Sequence, residues 1–171
     1  MIRSSVLFAL ILLSVLSGKA DAQRLTPPAS PGSSAQANLH ITGKAAGKSV
    51  EASGTGSCRH APEASIRGVS ASLWMVQYGG SGDGPVRQLN LTLWRPKDGS
   101  PDQLSLAMDA KSGEHRIETG AKGGVKGEAS VTILPNGPGG RLELRGKDAD
   151  GKPIQITIDC PTFGGVQAEG G

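Results

Sequence analysis

Three histidines, two cysteines and a few glycine-flanked polar turns are the parts of this sequence with chemistry to offer. His40, His60 and His115 are the nitrogen ligands that zinc or copper would take, with Met108 as a soft addition for copper. None stands two or four residues from another ligand, so a metal site would have to be assembled from three separate segments. His40 alternates with Ile41, and His115 stands beside Arg116 and Ile117, which places both on outward, solvated positions. The sequence therefore implies no metal and no cofactor, and leaves His40, His60 and His115 as residues to locate.

The remaining motifs dissolve on inspection of their spacing. Gly43 to Ser49 reads GKAAGKS, but a phosphate-binding loop needs glycine at position 42, which is Thr42, and a helix after it, whereas Val50-Glu51-Ala52 reads as strand. Asp148-Ala149-Asp150-Gly151 opens like a calcium loop, lacks the later oxygen ligands and is flanked by Lys147 and Lys152; a hairpin turn explains it. Gly80-Ser81-Gly82-Asp83-Gly84 is no nucleophile elbow, because no strand-to-helix turn surrounds it and no histidine is placed to activate Ser81. Glu63, Asp109, Glu114 and Glu128 are carboxylates that nothing in the sequence pairs for glycoside hydrolysis. The expectation is a non-enzymatic protein.

Charge and leader narrow the setting. Lys plus Arg number 18 and Asp plus Glu 15, for a formal net charge of +3. Basic residues are scattered singly among acids, as in Arg141, Glu143, Arg145, Lys147 and Asp148, so no basic face suggests nucleic acid. Residues 1–22 have the form of a cleavable signal peptide: Arg3, the apolar run Val6 to Leu16, and Ala20-Asp21-Ala22 before Gln23. That run is too short to span a bilayer, which needs about 20 residues, so no membrane anchor is expected after cleavage. A periplasmic or extracellular location of the bacterial type follows as the expectation. There an even pair of cysteines is read as one disulfide, Cys58 to Cys160, closing a loop of about 100 residues worth up to about 4.7 kcal/mol in the chain-entropy model.

The elements that must position these residues are strands. The stretch Val69 to Arg95 alternates on both sides of the break GGSGDGP and predicts a β-hairpin. With Tyr78 opposite Val86, even positions share one face: Trp74 and Tyr78 stand there with Asn90, Thr92 and Trp94, while Leu73, Met75, Leu89, Leu91 and Leu93 face the core. Trp and Tyr among hydroxyls and amides compose a recognition surface, so Trp74, Tyr78, Asn90, Thr92 and Trp94 are the candidate binding residues, for a protein or a glycan of the cell envelope.

Elsewhere the pattern repeats on a smaller scale. Residues 23–37 are a Pro/Ser-rich tether expected to be disordered, and 38–163 form a single domain. Leu39 and Ile41, then Val50 and Ala52, begin the alternation; Cys58 to Pro62 reads as an irregular connection. Leu104, Leu106 and Met108, then Ile117, then Val131 and Ile133 mark short strands. Leu142 and Leu144 face Ile154, Ile156 and Ile158 across the turn KDADGK, and Cys160 shares the isoleucine face. Residues 164–171 are expected to be a disordered tail. Eight or nine short strands between glycine turns, with no helical period, predict an all-β fold, an antiparallel β-sandwich or small barrel. The function expected is an exported envelope binding or structural module. The alternatives are a small secreted inhibitor or partner-binding protein acting through the loop 79–85, and a metal-handling periplasmic protein using the histidines.

Overall fold

The computed structural model describes residues 36–120 and 126–166. The leader over 1–22, most of the tether over 23–37 and the end of the tail from 167 lie outside the described residues. The strands are β1 (Ala37–Ala45), β2 (Lys48–Ile66), β3 (Val69–Gly79), β4 (Val86–Pro96), β5 (Gln103–Ala110), β6 (Gly113–Glu118), β7 (Glu128–Asn136), β8 (Gly139–Lys147), β9 (Pro153–Cys160) and the short β10 (Gly164–Gly165). Nine of them make one antiparallel sheet in the order β6-β5-β4-β3-β2-β1-β9-β8-β7. It curls into a half-barrel, a single curved sheet and not two sheets packed face to face.

Tight turns set this course. Ala46 (φ 51°) with Gly47 (φ 78°), and Arg67 (φ 53°) with Gly68 (φ 82°), are two-residue connections with positive φ at both positions, the geometry whose twist matches paired strands. The GKAAGKS segment is thus a hairpin turn joining β1 to β2.

The concave side is filled. Leu39 and Ile41 of β1, Val76 of β3, Leu89, Leu91 and Leu93 of β4, Leu106 of β5, Ile117 of β6, Leu142 and Leu144 of β8, and Ile154, Ile156 and Ile158 of β9 are all buried there. Full burial of such a side chain stabilises by about 1.5–3 kcal/mol, against about 0–1 kcal/mol for an exposed ion pair such as Arg141 with Asp159, so the interior and not the surface charge holds the barrel together. Cys58 and Cys160 are joined across this interior with a Cα–Cα distance of 5.9 Å, as the sequence led us to expect. Gly43 (φ 143°) lets β1 lie against β9, because a Cβ there would come within 2.0 Å of the Gln155 carbonyl oxygen.

The sheet does not close by a ladder. Among the described residues its edge strand β6 is bridged once to the segment that leads into β7, where Glu118 and Lys126 exchange both backbone hydrogen bonds. Around it the seam is held by other means: the Ala149 N–H donates to the Arg116 carbonyl at 2.9 Å, and Arg95 Nη2 donates to the Val131 carbonyl at 3.0 Å.

Three expectations are corrected. Tyr78 lies opposite Leu89, not Val86. This register differs from the expected one by three residues, and an odd shift turns one strand over relative to the other. The β4 leucines still point inward, but Trp74, Val76 and Tyr78 now join them, and Leu73 and Met75 face out. The parity of β3 was hard to read because Leu73-Trp74-Met75-Val76 is apolar at every position. Cys58 to Pro62 is not an irregular connection but part of β2, which runs on through a bulge between Ala61 and Ala64; the bulge accommodates Pro62, which has no N–H to give a ladder. The start of the tail is ordered, since Gly164 and Gly165 pair in parallel with Arg59 and His60.

Candidate functional site

The register of β2 to β5 dictates what the convex side displays. One rung carries Ala61, Leu73, Trp94 and Gln103, the next Arg59, Met75, Thr92 and Ser105, the next Ser57, Gln77, Asn90 and Ala107. Leu73 is buried beneath this layer, whereas Trp94, Met75, Thr92 and Asn90 are half-buried and Gln77 is exposed. The polar end of the face is a shallow groove of about 820 Å³ lined in part by Ser57, Arg59, Gln77, Gln88 and Asn90. At its border Arg87 forms a bidentate ion pair with Asp109, and the hydrogen bond from Arg87 holds the Asp109 carboxyl below its ordinary range. The apolar end is a smaller hollow of about 210 Å³ beside Trp94, walled by Ile66, Thr92 and Gln103.

The five residues expected to form one binding surface are therefore divided. Asn90, Thr92 and Trp94 stand together on the convex face. Trp74 and Tyr78 are buried on the concave side, Tyr78 reaching the polar groove only at its border. Tyr78 packs among Gly54, Gly80 and the leucines, and burial pushes its phenol pKa up.

Trp74 instead belongs to a stack at one end of the barrel. The His60 ring lies 4.5 Å from it with planes 9° apart, Phe163 meets His60 edge-on at 6.0 Å, and the Arg95 guanidinium sits 5.4 Å from the Trp74 ring centroid. Arg95 is anchored by Asp102, with Nη2 to Oδ2 at 2.8 Å. Burial lowers the pKa of His60, and its Nε2 has no hydrogen-bond partner. The stack closes that end of the core, with Trp74 buried and His60, Phe163 and Arg95 partly exposed.

At the opposite end the structure assembles a cluster that the sequence did not reveal. His115, expected to be solvated, is buried at 1% exposure, because β6 turns its odd positions inward where Met108 of β5 lies alongside. Its Nδ1 is 2.7 Å from Oδ2 of Asp148, which is 3% exposed, and its Nε2 is 2.9 Å from Oγ of Ser112. The other Asp148 oxygen accepts the backbone N–H groups of Asp150 and Lys152 at 3.0 and 2.8 Å. The DADG segment is thus a turn that folds around its own first carboxylate. Burial pushes the Asp148 carboxyl up, but the hydrogen bonds from His115, Lys152 and Asp150 outweigh it and leave the pKa below the usual value. An ionised carboxylate only accepts, so Nδ1 carries the proton toward Asp148, and Nε2 is the ring nitrogen that faces the Ser112 hydroxyl. Ser112 and Asp148 lie 36 residues apart in sequence, in unrelated turns, and no local pattern links them.

His40 completes the histidine set on the convex side, hydrogen-bonded to Ser53 at 2.8 Å. Among the described residues no three His, Cys, Asp or Glu side chains converge as a metal site would require. In the loop after β3, Ser81, Gly82 and Asp83 are exposed, and the Gly84 N–H closes a turn on the Ser81 carbonyl at 2.8 Å.

No family model, curated protein or solved structure matches the chain. Any functional reading rests on these residues themselves.

Proposed function

We propose that the protein is an exported binding module that engages a protein partner of the cell envelope through the convex face of β2 to β4. Export is supported by the leader-like residues 1–22, by the Cys58–Cys160 disulfide, and by the lack, among the described residues, of any helix long and apolar enough to cross a membrane. Binding by an outer face rather than an internal cavity is supported by the packed concave side.

The single observation that carries the reading is the row of Trp94, Met75, Thr92 and Asn90 on adjoining rungs next to a polar groove. Aromatic, Met and Arg side chains with surrounding amides are the composition enriched at protein interfaces, and a half-buried Trp beside a hollow is the usual form of an energetic anchor.

The test is quantitative capture from an envelope extract by the immobilised protein, comparing wild type with Trp94→Ala, Asn90→Ala and the loop double variant Ser81→Ala/Asp83→Ala. Trp94→Ala is expected to lower recovery of a specific partner by about 30-fold, and the loop variant to leave it unchanged. Equal recovery with all variants would overturn the convex-face reading, and loss with the loop variant alone would assign binding to residues 79–85 instead.

A further inference from the structure

We infer that Ser112 is an activated nucleophile, able to take an acyl group from an unhindered carboxylic ester, with His115 as its general base and Asp148 as the residue that orients the base. Three features of the cluster carry this. The hydrogen bonds run in series from the Ser112 hydroxyl to His115 Nε2, and from His115 Nδ1 to the Asp148 carboxylate, at 2.9 and 2.7 Å. A hydroxyl within reach of an imidazole that is itself fixed by a third group is the arrangement that activates serine on unrelated folds. The carboxylate is immobile, because its second oxygen is occupied by two backbone N–H groups. Finally, the two inner members are buried while Ser112, in the turn between β5 and β6, is half-exposed, so the serine stands nearer to solvent than the partners that activate it.

The step balances within the cluster. Ser112 Oγ forms a bond to the ester carbonyl carbon as its proton passes to His115 Nε2. The bond from that carbon to the leaving oxygen then breaks, and the alkoxide departs with the proton from His115, leaving acyl-Ser112 and a free alcohol. Water, losing its proton to the same nitrogen, returns the serine and releases the carboxylic acid. Asp148 stays ionised throughout and stabilises the imidazolium.

The experiment uses the whole protein with two probes, an alkyl fluorophosphonate and p-nitrophenyl acetate. On the first, Ser112 Oγ displaces fluoride from phosphorus and the adduct is read by intact mass and peptide mapping. Folded wild type is expected to acquire one adduct, on Ser112, about a hundredfold faster than the urea-unfolded chain, and Ser112→Ala to be labelled no faster than that unfolded chain. With p-nitrophenyl acetate it is expected to release p-nitrophenolate about a hundredfold faster than the serine variant. Asp148→Asn, with its fold checked by circular dichroism, is expected to react more slowly than wild type. Because Ser112 sits half-exposed in a turn, Ser112→Ala keeps the test informative even if the aspartate variant fails to fold. Labelling at another residue, or a wild-type rate equal to that of Ser112→Ala, would overturn the assignment.

Discussion

Asp148 serves three purposes with two oxygens: it fixes the His115 ring, caps its own turn, and ties that turn to the strand across the seam. Removing one member of a buried pair strands the other, so Asp148→Ala is expected to cost about 3–5 kcal/mol, measured by urea denaturation. The pH dependence has a definite sign. The folded carboxyl has a pKa below the ordinary 3.8, so its stabilisation is fully present above that range and is lost as pH falls through the folded value. His60 adds a second acid-side loss. Its folded pKa lies below 6.5, so the unfolded chain takes up a proton first and stability declines as pH falls below that value. A melting-temperature profile from pH 7 to about pH 2 is expected to fall in two stages, the upper stage absent in His60→Leu and the lower reduced in Asp148→Asn. At this scale the sequence was least legible. His115 shares its parity with the inward Ile117, but a lone apolar residue in so short a strand did not outweigh the polarity of the ring, and its partner arrives from a turn on the far arm of the sheet.

Strands were legible wherever only one parity is apolar. Ile154, Ile156 and Ile158, and Leu142 and Leu144, gave the inward faces of β9 and β8 correctly, as the leucines gave that of β4. Where both parities are apolar, as at Leu73 to Val76, alternation could not choose, and the wide loop after Gly79 left the register free to settle three residues away. In β2, proline suggested a break that a bulge in fact absorbs. Two substitutions test what sets the elements. Gly43→Ala would drive a Cβ into the Gln155 carbonyl on the one ladder that joins β1 to β9, and is expected to abolish two-state folding or to cost more than about 4 kcal/mol in denaturant titration. Ala46→Asn should act the other way. The left-handed conformation costs an alanine about 1–2 kcal/mol and asparagine less, so a gain of about 0.5–1 kcal/mol with an unchanged denaturant slope is expected.

For the molecule as a whole, the all-β class, the strand content and the single bridge could be read from turn spacing and cysteine count, whereas the spatial order of strands could not, because nothing local says that β1 lies beside β9. That bridge closes a sequence separation of 102 residues, and Cys58→Ser/Cys160→Ser is expected to lower stability by about 2–5 kcal/mol at constant pH, measured by denaturant titration. The neighbourhood of β1 and β9 carries a consequence for assembly. Read round the sheet from β7 through β9 to β1 and on to β6, every strand pairs with the next, so the native chain is a circular permutation of a plain up-and-down meander. Ile41 must wait for Ile158, more than a hundred positions later, before the two arms can join. A permutant beginning at Glu128 and ending at Glu118, with the old termini linked, would turn that late closure into a local one. It is expected to refold faster in stopped-flow experiments, since lower contact order shortens the search.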